Sequence, residues 1–322
     1  MAGRDYTASG LITAFRAEGS ISPDDPNATE ADILLLADRV IERHFVPGVR
    51  KALADYYITY DDIALEANVK EYRIPYRALT SSVRSVVFVD TSDNEFELVP
   101  VPPTTRFTFN QARSGYPAAY TIVDDMLCVL PTPANSSGTL RIWYEYRPGK
   151  LILPTAGALI DTISEPVLTN GDNVYAVATT GTFDPADPTP CDVVCGRAPF
   201  SVIAREASFD GTVAVLGATL TLDTRWRDPL VGDYICPVGE TPIPQIPAEL
   251  HSALALMMAG EYLKATDPQT SAELIREAKE ARQLAWGMLT PRQHGRQIKL
   301  KSTSSQLRGY GGHRGGFGDW RP

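Results

Sequence analysis

The chain has 322 residues, 43% of them hydrophobic, enough for about two domains with a sizeable core. Its 30 Lys and Arg against 39 Asp and Glu leave a net charge of -9, which excludes a surface that grips nucleic acid all over. The opening MAGRDYTASGLITAF lacks the apolar core of a signal peptide, and no stretch approaches about 18 uninterrupted apolar residues, so the expectation is a soluble protein of the cytosol, or of a particle assembled there, with no membrane partner.

In chain order, a short helix is expected near Leu11 to Arg16. Thr29 then stands three positions before Asp32, a capping-box-like start, and ADILLLADRVIERHF places Ile33, Leu36, Val40 and Ile41 on one face of a helix. Pro47-Gly48 should break or sharply kink it before VRKALADYYITYDD resumes a helical pattern. From about Val69 the period changes to alternation, in VKEYRIP, VRSVVFV, FELVPV, FTF, AAYTIV, MLCVLP and TLRIWYEYR, with turn-forming groups between them. Six or seven short strands make an antiparallel sheet or barrel. In the last of them Leu140, Ile142, Tyr144 and Tyr146 face one way, and Arg141, Trp143, Glu145 and Arg147 the other.

Between Thr162 and Pro247 the chain keeps strand character, with SFDGTVAVLGATLTLD as its clearest hairpin-like piece, and reads as an inserted second β module. Two helices close the body. The first has Pro247 at N1 and Leu250, Leu254, Met257, Met258 and Leu263 for burial, ending near Thr266. The second has Asp267 as N-cap and Pro268 at N1 and stops at Thr290-Pro291, so the two form an antiparallel hairpin. The reading is an α+β chain: N-terminal helices over 1–66, an antiparallel β domain over 67–157, the inserted β module over 158–246, the helix hairpin over 247–291 and a basic tail over 292–322.

Recognisable catalytic signatures are missing. Gly149-Lys150-Leu151 has neither the upstream glycine nor the following Ser/Thr of a phosphate-binding loop, and there is no GxSxG or HExxH. His44 and His251 lie in expected helices without a second donor at i+3 or i+4, and His294 and His313 lie in the tail. Cys191 and Cys195 make at most half of a zinc site, and the four cysteines (with Cys128 and Cys236) are expected to be free, mostly buried thiols. Asp24-Asp25, Asp61-Asp62 and Asp124-Asp125 are read as ordinary structural residues rather than calcium ligands or paired acid/base carboxylates, Asp124-Asp125 lying between two expected strands where turn geometry favours Asp. Neither an enzyme nor a cofactor or metal is expected.

The tail is different. Seven basic residues from Arg292 to Pro322 stand against Asp319 alone, so this segment carries +6 while residues 1–291 carry -15. It has seven glycines and no apolar periodicity, so it cannot bury enough surface to fold alone. Three readings stay open: protein docking, in which Ile298 and Leu300 alternate with Lys299 and Lys301 as an added strand; nucleic-acid binding through arginines and Tyr310, Phe317 and Trp320; and a solubilising end. The docking reading assigns contacts to Arg292, Arg296, Ile298, Lys299, Leu300, Lys301, Leu307, Arg308, Tyr310 and Arg314.

The succession of a helix pair, YRIPYRALTSSVRSVVFVD, SGYPAAYTIVDDMLCVLPTP, TLRIWYEYRPGKL and GDYICPVGETPIPQIPAELHSALAL resembles the head-to-tail adaptor, or neck, proteins of tailed bacteriophages. The likeness covers residues 5 to 290; small members lack the module at 162–245. It implies a structural, non-enzymatic subunit of a homo-oligomeric ring, usually of twelve copies, at the capsid vertex of the virion. The C-terminal helices and tail would anchor it on the portal protein, the other face would meet a tail or nozzle protein, and DNA would pass through the lumen without sequence-specific binding. An acidic body suits such a channel, because it lacks the counterion-release affinity of a basic one. The alternative is a β-rich virion or surface module binding carbohydrate or a receptor through loops such as DTSDNE and TFDPADPTP.

Overall fold

The computed structural model describes residues 5–105, 116–183, 189–210, 218–223 and 226–289. Helix α1 (Ala8–Gly19) is capped by Thr7, whose side chain accepts from Gly10 N–H, and is closed by Ser20 in a left-handed conformation. Helix α2 (Glu30–Val40) starts at Thr29, whose hydroxyl accepts the Asp32 amide at 3.3 Å. The expected break at Pro47 takes another form. The helix widens into one π turn over Ile41–Phe45 and continues as α3 (Val46–Ala52). Proline has no N–H to donate and its ring clashes with the carbonyl four residues back; a wider turn relieves both without ending the helix.

The helical pattern expected through VRKALADYYITYDD ends at Ala52. Residues Ile58–Ala64 are instead strand β1, paired along its whole length with β8 (Thr139–Tyr146). Ile58, Thr59, Tyr60 and Ile63 are β-branched or aromatic, and a waiting partner strand outweighs local helical periodicity.

Around β1 two four-stranded sheets pack face to face. They also contain β2 (Glu71–Arg73), β3 (Ala78–Val89), β4 (Glu95–Glu97), β5 (Val99–Pro100), β6 (Ala119–Val123) and β7 (Met126–Leu130). Their orders are β1-β8-β3-β4 and β2-β7-β6-β5, antiparallel except for the two-residue β5–β6 pairing. Between them lies a core that includes Val86, Phe88, Leu98, Leu127, Leu140 and Ile142. The expected strand FTF at 107–109 lies outside the described residues.

A parallel pair, β9 (Lys150–Leu151) with β17 (Glu240–Thr241), marks where the chain leaves and rejoins the rest of the body. The excursion holds β10 (Ala158–Ile163), β11 (Val167–Thr169), β12 (Asp172–Gly181), β13 (Thr189–Val194), β14 (Val202–Asp210), β15 (Ala218–Asp223) and β16 (Tyr234–Pro237). Their order is β10-β16-β13-β14-β15-β12-β11, and β10 also pairs with β12. Six strands thus close into an antiparallel barrel, with β11 outside it as an extra edge. Ile160, Val177, Val193, Phe209, Leu220 and Ile235 are among the residues that fill it. Within SFDGTVAVLGATLTLD, β14 and β15 pair; the turn between them falls outside the described residues.

After Pro247 a short 3-10 turn (Ala248–Leu250) leads into α4 (His251–Leu263), so the proline precedes a tighter turn rather than opening the α-helix. Helix α5 (Pro268–Leu289) begins after Asp267, whose carboxylate accepts the Thr270 amide at 3.2 Å. The two helices touch closely: Ser271 Oγ donates to Gly260 O at 2.7 Å, and a Cβ on Gly260 would strike Ile275. Nine of the thirteen residues of α4 are buried and none is exposed, because it sits among α1, α2 and α5.

Asp38 of α2 points into this assembly, accepting the Leu151 amide at 3.0 Å. Burial pushes its carboxyl from 3.8 up to about 6. The folded chain therefore holds this proton more tightly than the unfolded chain, and stability falls as the pH rises from about 4 through about 6. Asp38→Asn keeps an acceptor for Leu151. It should raise stability by about 1–2 kcal/mol at pH 7.5 and by little at pH 4, the full shift being discounted for partial exposure. Urea unfolding at the two pH values tests this; an equal gain at both would remove ionisation as the cause.

Candidate functional site

The described residues offer no catalytic constellation, and among them no group of three or more His, Cys, Asp or Glu could hold a metal ion. Cys128, Cys191, Cys195 and Cys236 are free and buried, and burial pushes the Cys191 and Cys236 thiols up. Asp124 takes a left-handed φ of 55° in the turn between β6 and β7. Asp25 accepts from Tyr262 OH at 2.8 Å. His251 Nε2 lies 3.3 Å from Ile246 O.

The densest polar chemistry lies where the β-sandwich meets the barrel. Arg77, just before β3, sends Nη1 to Asp192 Oδ2 of β13 at 2.5 Å, and the carboxylate is fully buried. Asp192 also accepts the Gly239 amide at 2.9 Å. In the opposite direction Arg205 of β14 reaches from the barrel to β1. Its Nη2 donates to Thr59 Oγ1 at 2.6 Å, Tyr60 O at 2.9 Å and Asp61 Oδ1 at 3.0 Å, and its Nη1 to Tyr144 OH. Tyr144 OH donates in turn to Asp61 Oδ2 at 2.8 Å. The Arg205 guanidinium also lies 5.4 Å from the ring centroids of Tyr144 and Trp226.

Each module thus gives an arginine to an aspartate of the other. Planar, many-donor guanidinium groups suit buried ends that must bond several acceptors at once better than lysine would. A cleft of about 520 Å³ opens beside them, walled by Asp62, Tyr76, Glu206 and Trp226 among others. Glu206 follows Arg205 at a register shift between β13 and β14, with a left-handed φ of 54°, and accepts from Tyr76 OH at 3.4 Å. The bulge turns consecutive side chains, Arg205 and Glu206, toward the sandwich. Asp62 is held by Arg141, Nε to Oδ1 at 2.9 Å. The Asp61-Asp62 pair, expected at the end of a helical pattern and with no calcium or acid/base role, therefore sits on a strand as two ion-pair acceptors.

Sequence reasoning missed Arg77, Asp192 and Arg205. The available signal was a charge inside an apolar strand, Asp192 in CDVVC and Arg205 in VIAREA. Glu145 is a further case. It lies on the expected outer face of β8, yet it is buried, because Arg50 of α3 and Arg84 of β3 close over it as ion-pair partners.

The expected docking residues, Arg292, Arg296, Ile298, Lys299, Leu300, Lys301, Leu307, Arg308, Tyr310 and Arg314, lie outside the described residues. What is described is the helix that leads to them. Helix α5 packs one side against the π turn and α3: Arg282 Nη1 donates to His44 O at 2.9 Å, and its guanidinium stacks 4.8 Å over Trp286. On its outer side Leu284 and Met288, one turn apart, are 69% and 76% exposed. No described helix is long and apolar enough to cross a membrane.

A search of curated proteins finds no match to the chain. The family model of the SU10 adaptor protein matches residues 6–180, which takes in α1 to α3, the whole sandwich and the first barrel strands up to β12. With more than half of its length matched, and with the helix and strand order that resembles phage head-to-tail adaptors, the chain belongs to the SU10 adaptor protein family, whose members serve as structural adaptors of the virion.

Proposed function

We propose that the chain is the repeating subunit of a neck ring, of about twelve copies, that joins the portal protein to a tail or nozzle protein and lets DNA pass through its lumen. Family membership is the observation that carries this reading. Helices α4 and α5 with residues 292–322 make the portal anchor. In support, α5 leaves Leu284 and Met288 exposed at the end that leads into the +6 segment, while residues 1–291 carry -15. An acidic wall gives passing DNA no phosphate contacts to hold it. A basic, glycine-rich arm that orders on binding wraps a large surface, and a ring of such arms binds multivalently. Assembly takes place in the host cytoplasm and the product is a virion component.

The test compares the full chain with one ending at residue 291, each mixed with portal-bearing capsids. The shorter chain keeps the compact unit, which ends at Leu289. Full chain should form rings at the vertex and the shorter chain should lose about a hundredfold or more in retention, a multivalent loss. Equal attachment of both would take the tail out of the mechanism; attachment of neither would sink the neck-ring reading.

A further inference from the structure

The hairpin of β11 and β12 carries the one Asn-Gly step in the sequence, Asn170-Gly171. Thr169 stands opposite Asp172 in the ladder, so the turn consists of these two residues and nothing else. Their φ values of 53° and 94° are left-handed at both positions, the two-residue hairpin turn that Asn-Gly favours most. Both residues are exposed, and a Cβ built on Gly171 would meet nothing within 4 Å. All three residues of β11 are exposed as well, and the strand stands last in its sheet, held by β12. So short and exposed a pairing opens at little cost while the barrel beside it stays closed.

An asparagine can be attacked by its own backbone. The nitrogen of the next residue, bonded to the asparagine side-chain carbon Cγ, closes a cyclic imide. A Cβ on that next residue crowds the approach, and glycine has none. We propose that Asn170 is a site of spontaneous deamidation, which converts this turn to aspartate and isoaspartate with water and hydroxide as the reagents. Hydroxide takes the Gly171 amide proton, the nitrogen bonds to Asn170 Cγ, and the Cγ–Nδ2 bond breaks, so that ammonia leaves with a proton from water. Water then opens the imide. Cleavage of the Cγ–N bond gives aspartate; cleavage of the backbone C–N bond sends the chain through the side-chain carbonyl, as isoaspartate, and lengthens the backbone by a methylene. The balance is one water consumed and one ammonia released, with no change of oxidation state.

The chain supplies its own comparisons. Asn68 is exposed and has a left-handed φ of 63°, but Val69 follows it; Asn135 is exposed, and Ser136 follows it. Exposure and conformation are thus shared, and the following glycine sets Asn170 apart. The two products act differently on the fold. Aspartate keeps the turn, because Asp-Gly suits it as Asn-Gly does, and adds a negative charge to a stretch, Asp161 to Asp172, that has no Lys or Arg. Isoaspartate puts extra backbone into a turn whose length sets the register, so Val167–Thr169 lose their pairing with β12. The barrel does not need that pairing, since β10 closes it directly on β12. Ageing therefore releases the edge strand and spares the closed core.

Incubating the folded full chain in mildly alkaline buffer, with peptide mapping by mass spectrometry over time, tests the site. Residue 170 should gain the mass of an amide-to-acid exchange about tenfold faster than Asn68 or Asn135, equivalent to about 1.4 kcal/mol in the barrier. Hydroxylamine, which attacks the imide, should cut the chain between Asn170 and Gly171. The variant Asn170→Gly keeps a turn-forming pair and should stay whole. Equal rates at the three asparagines, a wild-type chain left intact by hydroxylamine, or an Asn170→Gly chain cut at the same place would each overturn the proposal. Hydrogen exchange reads the consequence. In the isoaspartate form, isolated by chromatography, the amides of Val167–Thr169 should exchange about tenfold faster than in fresh chain, with those of β13 to β16 unchanged. The Asn170→Asp variant, which carries the charge without the longer backbone, should exchange like fresh chain. Unchanged exchange in the isoaspartate form would overturn the turn's role in holding β11, and faster exchange in Asn170→Asp would assign the release to charge instead.

Discussion

Asp192→Ala should destabilise the full chain by about 3–5 kcal/mol in chemical denaturation, far above the typical single substitution of about 1 kcal/mol. The expectation follows from what the carboxylate leaves behind. Arg77, 8% exposed, would keep its charge with no counterion, and the Gly239 amide would lose its acceptor. The cost is that of an orphaned buried charge, not the worth of the pair. Adding Arg77→Ala removes the orphan, so the double variant should be less destabilised than the sum of the two single ones, with a coupling of about 2–3 kcal/mol. Additive single effects would show that water reaches the junction and screens the pair. Cooperativity should change as well: with the clamp cut, the closed barrel over β10 to β16 has its own core and should melt separately from the sandwich and helices. Two transitions in calorimetry, in place of one, would be the sign.

The second large effect concerns Gly48→Ala. By helix propensity alone the change should stabilise α3 by about 1 kcal/mol. The structure reverses the sign. A Cβ at position 48 would overlap the indole ring of Trp286 from α5, nearest its Cζ2. Backbone is the obstacle on one side and a large planar ring on the other, so α3 and α5 must part, at a net cost of about 2–3 kcal/mol. Trp286→Leu in the same chain should recover part of it, because a smaller side chain can share the space. A stabilised Gly48→Ala variant would mean that Trp286 does not sit there. Because this contact joins the N-terminal helices to the last helix before residues 292–322, the variant should also reduce retention on capsids more than its stability loss explains.

Gly48 shows how far sequence can mislead even when it marks the right residue. Pro47-Gly48 stood out as punctuation, and the expected consequence was a broken helix. The proline instead forces a π turn and the glycine admits a tryptophan from α5, more than 230 positions away in the chain. The same logic governs Ile58–Ala64. Its local period permits helix, and only the partner β8 makes it a strand. Glu145 follows as well: alternation places it correctly on the far face of β8, but alternation does not know that Arg50 and Arg84 will cover that face.

Local patterns sufficed where the chain's own neighbours supply the interaction. Thr29 before α2 and Asp267 before α5 cap their helices because the groups they satisfy lie within three residues. The inward set Leu140, Ile142, Tyr144 and Tyr146 is buried because the pleat of a strand sorts side chains by parity. Burial of Cys128, Cys191 and Cys236 follows from their placement in apolar strands, and Cys195 directly follows one.

The amino-acid sequence by itself determined the succession of helices and strands, the charge contrast between body and tail and, through its residue pattern, the adaptor family. All of these depend on spacing and composition along the chain. Only the tertiary structure decided that the excursion after β9 closes into a six-stranded barrel, that Arg77 and Arg205 bind it reciprocally to the sandwich, and that α5 leaves Leu284 exposed among the described residues. These depend on which distant surfaces meet. A charged residue in an apolar strand carries no local mark of the partner that will neutralise it, and an exposed leucine carries none of the surface that will cover it.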